Sequence, residues 1–308
     1  MDTTKIKIER LAVQHVQDLC GLYFEVFKKR VEPSYFISKY QLNDPEQLQF
    51  SSIAYDDDTL IGMYGCTSLS FEDNDNPAEH IRLGCVCDFI LREKYRGTGL
   101  FDQLYFNTLE FAKLHLDGMI GFQSEQTYKV CQRHDWKDMR FFNRYHLRIS
   151  GSIKSKVVNT ISRNKVHKEI ETLKSQFGDQ FDINTLNRKR ERITAVYDER
   201  FLRSKELRDH IYLKMHGVHC VLKCSHHSSI GYIQLSEKYD LQAFLDALRS
   251  TLNSLNEIVF HVQSDSAEDI ALSEFLQKFD SFKTSGLIWN KNHLMDRLHM
   301  NFIEMDIY

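Results

Sequence analysis

The sequence predicts an α/β protein built on a mixed sheet, and three observations predict it. Short runs rich in apolar and β-branched residues recur along the chain, each bounded by turn residues. Between them lie segments whose apolar residues return at helical spacing. The order of these elements in the first half recurs, more weakly, in the second.

The chain opens on Ile6-Lys7-Ile8-Glu9-Arg10-Leu11, a short alternating strand, followed by a helix through Val13, Val16, Leu19, Cys20, Tyr23 and Phe27. Strands are expected around 49–55 and 59–71, with Asp56-Asp57-Asp58 as the polar turn between them. Ile81 to Leu91 reads as an apolar strand, and Leu100, Phe101, Leu104, Tyr105, Thr108 and Ala112 mark one face of a helix. Gly118-Met119-Ile120-Gly121-Phe122 is the next strand, and a helix follows it.

The second half repeats this plan. Phe181 to Leu186 is expected as a strand, with a helix through Ile193, Val196 and Phe201. Ile211 to Leu222 and Ser229 to Leu235 would be paired strands, Leu241 to Leu255 a helix, Glu257 to Val262 a strand and Ile270 to Phe279 the last helix. The division expected is therefore 1–150, a basic helical linker at 151–180, and a second copy at 181–308. The linker's lysines and arginines are interrupted by Glu169, Glu171 and Asp179, as on a solvated helix rather than a nucleic-acid arm.

At 308 residues, 42% hydrophobic and 12% aromatic, the chain has material for sizeable cores. A net charge of -3 argues against a general nucleic-acid binder. No apolar signal region or membrane-spanning stretch is evident, so a cytoplasmic protein is expected. Seven scattered cysteines, an odd number, read as reduced thiols. His216, His219, Cys220, Cys224, His226 and His227 are zinc-ligand types, but they lack the paired spacing of a metal site, and no metal is expected.

The most informative segment is Tyr95-Arg96-Gly97-Thr98-Gly99-Leu100-Phe101, which joins an apolar strand to a helix. Two glycines let amide N–H groups crowd an anion, and the helix N-terminus adds unpaired donors and the positive end of its dipole. Arg96 supplies a fixed charge beside them.

This segment resembles the acyl-CoA-binding motif of the GNAT superfamily of N-acetyltransferases, Arg/Gln-x-x-Gly-x-Gly/Ala. It departs from that pattern only at Phe101, where Gly or Ala is usual. The resemblance implies a GNAT fold with a second, degenerate GNAT-like domain, and an acyl-CoA cosubstrate, whether acetyl-CoA or a longer or hydroxylated acyl-CoA. It also implies that Arg96, Gly97, Thr98, Gly99, Leu100 and Phe101 hold the coenzyme. A strand N–H among Phe89, Ile90 and Leu91 would hold the thioester oxygen. The second copy enters its helix through Ser236-Glu237-Lys238-Tyr239-Asp240, without glycine, so it is expected to bind no coenzyme.

Acyl transfer from a thioester to an amine needs the amine deprotonated, the carbonyl polarised and the departing sulfur stabilised. Asp88 and Glu125, at neighbouring strand ends, are the two candidate bases. The family's Asn-x-x-Ala-x-x-x-Tyr helix, aligned on Asp135-Trp136, places Ser124 at the Asn against the coenzyme and Cys131 at the Tyr that protonates the thiolate. Cys131, Tyr128 and His134 are therefore the candidate acids. Tyr35, Phe36, Lys39 and Tyr40 form an aromatic and basic stretch suited to the acceptor. The tandem arrangement resembles GNAT proteins acting on nucleotide-linked amino sugars, dTDP- or UDP-linked, for surface polysaccharide. The expected acceptor is thus such a small-molecule amine, with another small amine or a catalytically silent acyl-CoA binder as alternatives, and no nucleic-acid or membrane partner.

Overall fold

Period-two alternation lets one strand feed two helix layers, and the central strands of this protein do so. The first half of the computed structural model runs β1 (Ile6–Arg10), α1 (Val16–Phe27), α2 (Pro33–Lys39), β2 (Ser52–Asp56), β3 (Thr59–Asp73), β4 (Asn76–Leu91), α3 (Leu100–His115), β5 (Gly118–Gly121), α4 (Glu125–Gln132) and β6 (Lys137–Arg148). There follow α5 (Ile161–Leu173), β7 (Ile193–Ala195), β8 (His210–Met215), β9 (Val218–Lys223) and β10 (Ser228–Leu235). The chain continues through α6 (Leu241–Thr251), β11 (Glu257–Gln263), α7 (Ala267–Phe275), β12 (Lys278–Ile288) and β13 (Leu298–His299). The structure describes residues 6–122, 125–149, 161–178, 193–197, 201, 205, 210–223, 228–289 and 297–299.

Ile53, Met63 and Ile90 pack on one face of the sheet with Leu19, Leu22 and Phe36 of α1 and α2. Their chain neighbours Ala54, Tyr64 and Leu91 pack on the other face with Leu100, Leu104 and Tyr105 of α3. Helix α1 ends at Lys28, whose left-handed backbone breaks the repeat, and α2 starts on Pro33 in its first turn, where a missing N–H is harmless.

Among the described residues the strands form one sheet, ordered β1-β2-β3-β4-β5-β12-β6-β11-β10-β9-β8. The succession strand, strand, strand, helix, strand, helix, strand occurs twice, as β2 to β6 and as β8 to β12. β4 runs parallel to β5, and β10 runs parallel to β11. At the centre the halves exchange strands. β12 inserts between β5 and β6, and β6 lies between β12 and β11.

Three local expectations are corrected, and two strands are added. Ile211–Leu222 is a hairpin rather than one strand, because His216 and Gly217 turn the chain at positive φ, 50° and 76°. Ile193 belongs to a strand, β7, which pairs antiparallel with the end of β3, rather than to a helix. The final helix stops at Phe275, and Phe279 lies on β12. Strands β6 and β12 themselves were not anticipated. The strand expected at 181–186 lies outside the described residues.

Candidate functional site

The β4–α3 turn leaves its backbone open. Gly97 and Gly99 have φ of 76° and 82°, a region that L side chains rarely adopt, and a Cβ built on either meets nothing within 4 Å. Gly99 caps α3 without any side-chain hydrogen bond, so the first-turn N–H groups of this 16-residue helix face the turn without a side-chain lid. Thr98 turns its hydroxyl inward, donating to the Tyr95 carbonyl at 2.7 Å. Arg96 is exposed, whereas Tyr95 and Leu100 are buried and anchor the two ends.

Below this turn β4 parts from β5. Their pairing runs from Leu83 opposite Gly118 to Val86 opposite Gly121, and β4 continues to Leu91 paired only with β3. A bulge falls at the point of divergence, where Cys87 and Asp88 together oppose Gly65. Gly65 is required there, since a Cβ would lie 2.5 Å from the Tyr40 hydroxyl and 3.0 Å from the Asp88 carbonyl oxygen.

The bulge aims Asp88 toward α2. Lys39 Nζ lies 2.9 Å from Asp88 Oδ2. The Tyr40 hydroxyl donates to the same oxygen at 2.6 Å and lies 3.5 Å from Cys87 Sγ. The Lys39 side chain has no solvent exposure and that of Asp88 has 15%. Burial opposes the Lys39 charge, yet Asp88, with Cys87 and Tyr35, outweighs it and raises the lysine above its ordinary value, so it stays cationic. Burial, followed by Asp88, pushes the Tyr40 phenol well up and keeps it a donor. The cluster thus holds an oriented carboxylate at the strand divergence.

The predicted acceptor segment is therefore largely internal. Phe36 is fully buried, its ring 5.5 Å from that of Tyr23 and 5.2 Å from that of Tyr35, so it serves the core. The anion that Lys39 meets is Asp88 of the same chain. Tyr35 remains partly accessible, and nearby α1 exposes Phe24 and Phe27, with the Arg30 guanidinium 5.3 Å from the Phe24 ring.

On the opposite face, the three candidate acids are engaged otherwise. Cys131 is buried in the core beneath α3, and desolvation pushes its thiol up to about 12. Tyr128 donates its hydroxyl to Asp138, which also accepts from Lys283 Nζ of β12 at 2.7 Å. His134 follows α4, with Nε2 3.0 Å from Asp102 Oδ1 and its ring 4.4 Å from that of Tyr105. Phe101, the departure from the motif, packs edge-on against Phe89 at 4.5 Å and stacks on Tyr105 at 6.1 Å. Phe89 and Leu91 share that face, whereas Ile90 packs with α1 and α2. Glu125 begins α4, and Ser124 lies outside the described residues.

Among the described residues no group of three or more His, Cys, Asp or Glu is arranged to hold a metal. His219 and Cys220 are buried on β9, and Cys224, His226 and His227 lie outside the described residues. No described helix is long and apolar enough to cross a membrane.

No family model matches the chain, and no curated protein matches it in sequence. Solved structures match its fold across nearly its whole length. One is a Pyrococcus horikoshii protein thought to be an acetyltransferase, with TM-score 0.58 and 13% identity, covering 96% of this chain and 94% of the other. The GCN5-related N-acetyltransferase of Kribbella flavida has TM-score 0.56 and 8% identity, covering 92% of this chain and 71% of its own. That of Anabaena variabilis has TM-score 0.57 and 8% identity, covering 92% of this chain and 72% of its own. The chain has the mixed α/β fold of the GNAT acetyltransferases.

Proposed function

We propose that this chain is a GNAT-type N-acyltransferase, moving an acyl group from a CoA thioester to a primary amine. One observation carries the reading: an open, positive-φ glycine turn caps α3 where β4 leaves β5. The turn's N–H groups and Arg96 suit a diphosphate, and a Cβ built on Gly97 or Gly99 would meet only open space.

Arg96, Gly97, Thr98, Gly99 and the first turn of α3 would hold the coenzyme, whose thioester supplies the activated acyl group. A backbone N–H of Phe89, Ile90 or Leu91 polarises its carbonyl. Asp88, fixed by Lys39 and Tyr40, attracts the incoming ammonium and draws off its proton directly or through water. The amine nitrogen then bonds to the carbonyl carbon, and the C–S bond breaks with its electron pair left on sulfur.

The acceptor to test first is a nucleotide-linked amino sugar. The exposed rings of Phe24 and Phe27 beside Arg30 suit a ring-bearing anion next to α2. Other small amines follow it. Residues 1–150 would supply the coenzyme site, and 181–308, past the linker at 151–180, would complete the acceptor side. The test is thiol release from acetyl-CoA and longer acyl-CoAs against a panel of these amines. Amine-dependent release supports the reading, whereas coenzyme binding without release under any amine makes the chain a silent acyl-CoA binder.

A further inference from the structure

The sulfur that leaves a broken thioester carries an electron pair that a buried donor can stabilise. Cys131, Tyr128 and His134 are committed elsewhere, as described above. Tyr64 of β3 is not. Its side chain is fully buried, and among the described residues its hydroxyl has no hydrogen-bond partner. Neighbouring hydroxyls differ: that of Tyr105 accepts from Trp136 Nε1 at 3.1 Å, and that of Thr108 lies 2.7 Å from Ser52 Oγ. An unpaired buried hydroxyl lowers stability and calls for a reason.

Its position supplies one. Tyr64 pairs with Phe89, the first β4 residue past the bulge, and faces the layer formed by α3 and α4. Its ring lies 5.8 Å from Phe101 and 5.7 Å from Tyr105, in the same core as Cys131. Phe101 thus links the glycine turn to Tyr64 by a single ring. Burial, and after it the nearby Cys131 thiol, holds the phenol well above its ordinary value, so it remains a donor at every physiological pH.

We propose that the Tyr64 hydroxyl is a catalytic group that donates a hydrogen bond to the sulfur leaving the acyl-CoA thioester, an inference that rests on the acyl-transfer reading. As nitrogen bonds to the carbonyl carbon, the C–S bond pair passes to sulfur and the Tyr64 O–H stabilises it. Tyr64 keeps its proton. Asp88 keeps the proton it drew from the ammonium, and the surplus proton of the newly bonded nitrogen passes through water to the thiolate.

The test is Tyr64→Phe, which keeps the ring and removes only the hydroxyl. Acyl-CoA binding by calorimetry, thiol release with an amine that the wild type acylates, and Tm are measured together. The expected result is kcat lower by about 10- to 100-fold. KM for acyl-CoA stays within about twofold, and Tm is equal or higher because no protein hydrogen bond is lost. Unchanged kcat overturns the inference and leaves the acyl-transfer reading standing. A fall in Tm that accounts for the lost activity also overturns it, since the hydroxyl would then be structural. A wild-type protein that neither binds acyl-CoA nor releases thiol overturns both.

Discussion

The same strand-to-helix junction occurs twice in this sheet and is finished in opposite ways. In the first half, Gly99 caps α3 with no side chain, and the turn stands open. In the second, Asp240 caps α6 and its carboxylate accepts from the Ala243 N–H at 2.9 Å. Ser236 Oγ donates to the carbonyls of Gly217 and Lys238, and the Asp240 N–H donates to His216, which ties the turn to the β8–β9 hairpin. One helix end leaves its first-turn donors without a side-chain cap, whereas the other fills one of them with the Asp240 carboxylate.

The bulges repeat the contrast. Each central strand carries one just past its parallel partner, at Cys87-Asp88 on β4 and between Ile230 and Tyr232 on β10. The first presents a carboxylate held by Lys39 and Tyr40, and the residue within the second is Gly231. The fold supplies two equivalent frames, and side chains make a candidate site of one.

The largest expected effect comes from the charged bulge. Asp88→Asn should lower kcat by about 100-fold or more. It also leaves the buried Lys39 without its counter-charge, at a cost of about 3 kcal/mol in a urea melt. Equal kcat in variant and wild type would remove Asp88 from the chemistry. Next, Gly99→Val forces a β-branched residue into positive φ at the open turn and should weaken acyl-CoA binding by about 2 kcal/mol, roughly 30-fold by calorimetry. An unchanged Kd would show that the turn does not hold the coenzyme.

A smaller effect concerns the core beneath that turn. Cys131 titrates at 9.0 in its ordinary environment and at about 12 when folded. The unfolded chain therefore releases this proton first, so the associated stability is complete below pH 9 and is lost as pH rises toward 12. Urea melts from pH 8 to 10.5 should show a steeper decline for the wild type than for Cys131→Val. Parallel declines would place the alkaline sensitivity in other groups. The smallest effect is in the second half: Asp240→Ala should cost about 1 kcal/mol of stability and leave acyl-CoA affinity unchanged.

Local pattern made the first half legible. The alternation in Ile6–Leu11, the apolar run 81–91 and the helical spacing from Leu100 each correspond to an element of the fold. Strands β6 and β12 escaped because their partners lie in the other half of the chain, and long-range pairing leaves no local mark. Phe275 and Phe279 sit at helical spacing although the chain changes from helix to strand between them. In the site, the glycine turn was readable because positive φ selects glycine. That Lys39 meets Asp88 and that Phe36 lies inside depended on how α2 crosses the sheet. Tyr64 carried no signal at all, because a missing hydrogen bond exists only once a core has closed around it.

Titration of the full chain with acyl-CoA in a calorimeter, wild type beside Gly99→Val, tests the central claim most directly. The open turn predicts one site per chain, weakened about 30-fold by the substitution. Two sites, no binding, or equal affinity in both proteins would contradict it.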